Sequence, residues 1–159
     1  MEVEIRIDPA LEQPKLIIHA PQDTPELRRL AEQLSALSLG PIQVWEEERS
    51  YLLQQSDFLR FYTQGKGVCA QSGDKTYTVR LRLYELEEQL DPLRFVRISN
   101  SEIINLDAVT AVDLSLTGTI CMTLDGRFTS YVSRRYVKKI KEVLTRKRRD
   151  TERANATRS

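Results

Sequence analysis

Phe95-Val96-Arg97-Ile98-Ser99-Asn100-Ser101-Glu102-Ile103-Ile104-Asn105 is the stretch on which the organisation of this chain turns. Apolar runs on either side of three small polar residues read as two short strands, at 95–98 and 103–106, joined by the loop Ser99-Asn100-Ser101. Asparagine is common in turns for backbone reasons. It also carries a donor and an acceptor side by side, which match an adenine edge, and serine hydroxyls bond phosphates. Both readings stay open for this loop.

The same strand pattern extends outward in both directions. Runs at 58–63, 68–71 and 76–81 precede it, and runs at 109–114, 119–124 and 128–132 follow it. Turn signals separate them: Gln64-Gly65-Lys66-Gly67, Ser72-Gly73-Asp74, Thr117-Gly118 and Asp125-Gly126. Asp125-Gly126 between two apolar runs is a two-residue hairpin signal. Many short strands at this spacing predict antiparallel sheets packed as a sandwich. One short helix interrupts them, with Leu83, Leu86 and Leu90 on one face, Glu85, Glu87 and Glu88 elsewhere, and Pro92 as the stop.

The two ends read differently. Val3, Ile5 and Ile7 alternate with Glu4 and Arg6 as a half-buried strand does, and Leu16-Ile17-Ile18 makes a second run after the Asp8-Pro9 break. A helix follows, with Thr24 as N-cap, Pro25 at its first position and Leu27, Leu30, Ala31, Leu34 and Leu37 in one stripe, until Gly40-Pro41 ends it. Residues 1–45 therefore form a small strand-strand-helix extension, too short to be stable alone, that packs on the main domain or on a second copy. The last ordered element is a helix over 134–144 with Ser133 as N-cap. Tyr136, Val137, Ile140, Val143 and Leu144 face the protein, and Lys138, Lys139 and Lys141 face outward. The main domain is thus 46–145. The remainder, 146–159, opens with Arg146-Lys147-Arg148-Arg149 and has too little apolar content to fold, so it reads as a basic disordered tail.

Charge follows this division. The formal net charge is +1, but residues 1–132 hold 13 basic and 20 acidic side chains while 133–159 hold 11 basic and 3 acidic. A basic arm on an acidic body points to a polyanionic partner. Arg134 and Arg135 sharpen this, because cations at a helix start oppose the helix dipole unless an anion completes the site. Arginine is the commonest reader of guanine, and a helix start also offers free N–H groups to phosphate.

Other chemistries find little support. His19 stands alone, which argues against a metal site or histidine catalysis. Glu46-Glu47-Glu48 reads as a solvated loop, and Gly65-Lys66-Gly67 lacks the spacing of a nucleotide-hydrolase loop, leaving a hairpin turn whose Lys66 can touch a phosphate. Trp45 and the six tyrosines are too scattered for a single-strand stacking platform. Cys69 and Cys121 lie in apolar strands where burial raises a thiol pKa, so redox sensing is disfavoured, and a reducing cytoplasm is the natural setting. No run reaches the roughly 18 apolar residues of a membrane span. The chain is expected to be a non-enzyme without a cofactor, a metal or a small-molecule substrate.

Three motifs in order carry a family resemblance. Phe95, Arg97, Ser99, Asn100, Ser101, Ile103, Ile104 and Asn105 match one; Leu83-Tyr84-Glu85-Leu86-Glu87-Glu88-Gln89-Leu90 matches the helix before it; Ser133-Arg134-Arg135-Tyr136-Val137-Lys138 matches the closing motif. Over about residues 51–144 the chain resembles the LytTR family of bacterial DNA-binding domains, and in particular its stand-alone members without a receiver domain. The resemblance implies a mainly β fold of about ten strands in three antiparallel sheets, with short helices, that inserts loops into successive major grooves of double-stranded DNA. It implies that Asn100 and Arg135 read bases and that Lys66 lies near a third contact. Arg97, Ser99 and Ser101 belong to the same DNA-binding set, and Arg134, Lys138 and the basic tail would hold phosphates. Ser99 departs from the histidine of many members. The resemblance further implies a homodimer on promoter direct repeats, a role in transcription regulation, and a membrane-protein partner encoded nearby. The alternative from the residues alone is a protein-interaction module with an incidental basic tail.

Overall fold

The computed structural model describes residues 2–11, 15–38 and 40–157. Ten strands form: β1 (Ile42–Glu46), β2 (Arg49–Leu53), β3 (Arg60–Gln64), β4 (Gly67–Ser72), β5 (Lys75–Val79), β6 (Phe95–Ser99), β7 (Glu102–Asn105), β8 (Val109–Asp113), β9 (Ile120–Leu124) and β10 (Phe128–Val132). Three helices accompany them: α1 (Pro25–Ser38), α2 (Leu83–Gln89) and α3 (Val137–Thr157), the last preceded by a 3-10 turn at Arg134–Tyr136. The strands make a seven-stranded sheet in the order β2-β1-β5-β4-β3-β7-β6 and a three-stranded sheet, β10-β9-β8, antiparallel in every pairing. The grouping is two sheets rather than three. β1 meets β5 through the single register pair Trp45↔Thr78, a seam narrow enough to let each side twist separately while one ladder continues.

The β6–β7 hairpin lies between two cores. Phe95 and Ile103 point into one, with Val44, Phe58, Phe61, Ala70, Val79 and the α2 residues Leu83, Leu86 and Leu90. Val96, Ile98 and Ile104 point into the other, with Ile120, Met122, Leu124, Val132 and Ile140 of α3. A strand covered on both faces has no need of polar residues at alternate positions, which is why this segment reads as nearly continuous apolar sequence. Asn105 closes it. Its side chain donates to the Phe58 carbonyl and accepts from the Asp107 N–H, both at 2.9 Å, so the buried amide is satisfied at both ends. A part-buried network ties the sheets together: Arg60 donates to Gln71 at 2.7 Å and to the Ser130 hydroxyl at 3.2 Å, and that hydroxyl donates to Glu102.

Several expectations need correcting. The strands read at Val3–Ile7 and Leu16–Ile18 do not form: these residues pair with no ladder, and Val3, Ile5 and Ile7 are more than 80% exposed. Alternation supplies a face, but a strand exists only with a neighbour to hydrogen-bond. The Asp8-Pro9 break is a turn in which the Asp8 carbonyl accepts from Leu11 at 3.2 Å. α1 begins as its sequence implies, with the Thr24 hydroxyl accepting from the Leu27 N–H at 3.3 Å, and Leu27, Leu30 and Leu34 are half-buried. The side chain of Leu37 and residues 158–159 lie outside the described residues. The main domain starts before position 46, because Ile42 and Val44 of β1 are in the core, and Glu46-Glu47-Glu48 lies at the turn of the β1–β2 hairpin, with Glu47 at φ 57°. Beyond Leu144 the chain stays helical to Thr157 instead of becoming disordered. Arginine and lysine are good helix formers, Arg148 pairs with Glu152 one turn on at 3.1 Å, and Lys147 reaches Asp107 at 2.8 Å.

Candidate nucleic-acid interface

The loop between β6 and β7 is held in shape by Arg97. Its Nε donates to the Ser99 carbonyl at 2.8 Å, a terminal nitrogen donates to the Asn100 carbonyl at 2.6 Å, and the other pairs with Glu87 of α2. The guanidinium, half-buried against the sheet, is thereby bonded within the chain to two loop carbonyls and to α2. The Ser99 hydroxyl accepts from the Ser101 N–H at 3.2 Å and lies 3.2 Å from the Ser101 hydroxyl. Asn100, at the tip, is exposed.

Two other segments are bonded to this loop. On one side the Thr63 N–H donates to the Ser101 carbonyl at 2.9 Å, which sets the β3–β4 turn beside it; Gly65 takes φ 60° there and Lys66 is exposed. On the other side the Ser133 N–H donates to the Ile98 carbonyl at 2.9 Å, and the Tyr136 hydroxyl meets the Asn100 Oδ1 at 3.2 Å. Ser133 occupies the N-cap position, extended at φ −70° and ψ 152°, but its hydroxyl makes no cap bond. One edge of the molecule thus gathers the hairpin of Lys66, the loop of Ser99, Asn100 and Ser101, and the helix start with Arg134, Arg135 and Lys138.

The electrostatics of this edge favour an anion. Arg134, Arg135, Lys138 and Lys139 are exposed, and α3 has no acidic residue in its first turn. Among the described residues, Lys66, Arg135 and Lys138 pair with no carboxylate. The nearby acids are spent elsewhere: Glu87 on Arg97 and Glu102 on Arg60 and Ser130. Arg134 lies across Gly118, where an added Cβ would stand 3.0 Å from its Nε, and the φ of 79° there favours glycine. Burial raises the thiol pKa of Cys69, as its strand setting implies. Arg94 at 3.5 Å and Lys147 at 2.8 Å both reach Asp107, and these contacts were not apparent from the sequence because their partners lie 13 and 40 positions away. Tyr136 lies on the apolar face of its helix in the sequence pattern, and the hydroxyl that joins the helix start to the loop leaves no signal in the linear chain.

A mainly β domain that gathers a braced polar loop, a lysine hairpin and a cationic helix start on one edge has the form of a DNA-binding module, and the family match shows that class. The chain belongs to the LytTr DNA-binding domain family, whose model matches residues 48–145. It is 35% identical over 129 residues to an uncharacterized HTH-type transcriptional regulator of Staphylococcus aureus strain NCTC 8325, covering 80% of this chain and 87% of that protein. The counterpart in strain MRSA252 is 34% identical over the same span. Among solved structures, the LytTr DNA-binding domain of a response regulator from Bacillus cereus superposes with a TM-score of 0.63 at 19% identity, over 66% of this chain and 96% of that one. That likeness speaks to the fold: ten strands in antiparallel sheets with a few short helices. No helix of the described residues is long and apolar enough to cross a membrane.

Proposed function

We propose that this protein is a sequence-specific transcriptional regulator that grips double-stranded DNA along the Lys66–Asn100–Arg135 edge, acting as a homodimer on repeated half-sites. Asn100 and Arg135 read base edges in the major groove. Lys66, Arg134, Lys138 and the hydroxyls of Ser99 and Ser101 hold phosphates, as do the cations of α3 at 146–149. Arg97 positions the loop rather than touching DNA. The observation that carries the reading is the hydrogen bond between Tyr136 and Asn100, which couples the loop tip to the residue following Arg135. Two base-reading groups must keep a fixed separation to match successive base pairs, and a direct bond between their elements supplies that constraint.

The test is a gel-shift titration with DNA from immediately upstream of the coding region, searched for two similar short repeats, against a random duplex. Arg135→Ala should remove about 1–3 kcal/mol of preference for the operator and leave binding to random DNA nearly as it was. If operator preference is unchanged, the assigned role of Arg135 is wrong. If neither duplex is preferred by the parent protein, the reading as a sequence-specific regulator fails.

A further inference from the structure

The arm at the amino terminus alternates apolar and charged residues from Glu2 to Asp8 and pairs with no strand of its own chain. Val3, Ile5 and Ile7 share one face and are 82%, 83% and 85% exposed. Glu4 and Arg6 share the other and form an exposed ion pair at 3.0 Å. Leu11, Leu16, Ile17 and Ile18 are exposed as well, which brings seven large aliphatic side chains to the surface within the first 18 residues. An interface of ordinary size needs about 800 Å² from each partner with an apolar centre, and a set of this kind supplies the centre.

Charge identifies the occupant. If two arms pair antiparallel about a two-fold axis at Ile5, then Ile5 faces Ile5, Val3 faces Ile7, and Glu4 faces Arg6 on each side of the axis. Both charges of the central segment meet opposite charges, and the three aliphatic residues of each copy fall on one face of the ribbon. Like charges meet only at the ends, Glu2 against Asp8. The free edge of β2, where Tyr51 and Leu52 are exposed, offers Arg49 as its one charge and satisfies at most half of the arm. We propose that residues 2–8 form the central strand of a homodimer interface with the same residues of a second copy, the Leu16–Ile18 run and α1 covering its apolar face. This does not rest on DNA binding and is tested without DNA.

The full-length chain with Cys69 and Cys121 replaced by Ser is the parent for two experiments. Ile5→Cys places a thiol opposite its own copy at a separation a disulfide tolerates, so mild oxidation should give covalent dimer; Val3→Cys, which faces Ile7, should not. In sedimentation, Glu4→Arg and Arg6→Glu should each weaken self-association by about tenfold or more, since symmetry applies every mismatch twice. Mixing the two variants should restore a dimer, because each arm then meets its complement. Circular dichroism confirms that the variants stay folded. A monomeric parent, equal cross-linking of both cysteine variants, or charge variants that self-associate like the parent would each overturn the proposal.

Discussion

Arg97→Met separates a brace from a DNA contact. The substitution keeps the apolar stem and removes a guanidinium that holds two loop carbonyls, at 2.8 and 2.6 Å, and Glu87. Charge-assisted bonds contribute about 1.5–3 kcal/mol each when shielded, but the Asn100 carbonyl is at the surface and takes water in exchange, so about 1 kcal/mol per carbonyl is reasonable. The Glu87 carboxylate is 44% exposed, and such a pair adds only about 0.2–1 kcal/mol. The sum, about 2–3 kcal/mol, lowers the melting temperature by roughly 6–9 °C at about 3 °C per kcal/mol for a chain of this size. Operator affinity falls as Asn100 loses its fixed presentation. The salt dependence distinguishes the roles: a lost phosphate contact reduces the slope of log K against log salt by about 0.9, whereas a lost brace leaves it alone. A variant of unchanged melting temperature with a shallower slope would refute the bracing assignment and return Arg97 to the contact set.

Three further outcomes are expected. Asn105→Ala strands the buried Phe58 carbonyl, while the part-buried Asp107 N–H can turn to water, and should cost about 1–3 kcal/mol in urea denaturation at constant m value; a loss below about 0.5 kcal/mol would show that water replaces the amide. Truncation after Thr145 removes Arg146, Lys147, Arg148 and Arg149 and should reduce the salt slope of DNA binding by about 2–3, while an unaltered slope would place that part of α3 away from the duplex. Since burial raises the Cys69 pKa, less thiolate is present at neutral pH, and alkylation by iodoacetamide followed by mass spectrometry should be slower at Cys69 than for a free cysteine and quicken as pH rises; labelling at the free rate would contradict this.

The strands from β3 to β10 were legible because each joins an apolar alternation to a turn that only certain residues make. Asp125 and Gly126 show this: both take positive φ, 51° and 66°, in the turn that returns β9 to β10. The β1–β2 hairpin was missed because three successive glutamates resemble a solvated loop, and its strands are held by core packing of Ile42 and Val44. At the candidate interface, residue types marked the loop and the helix start as two separate places. Their junction could not be read, since Asn100 and Tyr136 are 36 positions apart.

The sequence by itself determined the β class and the bounds of most strands, and it singled out Asn100, Arg134 and Arg135 as candidates for a polyanion-binding set, because turn chemistry, alternation and charge are local properties. Tertiary structure decided which side of that set faces inward. Arg97 and Arg135 are the same amino acid in neighbouring motifs, yet one is folded back onto carbonyls of its own loop and the other stands free at a helix start. It also decided that the amino-terminal alternation finds no ladder within one chain. Hydrogen-bond partners and burial depend on what the fold brings near, and no pattern along a single segment carries that information.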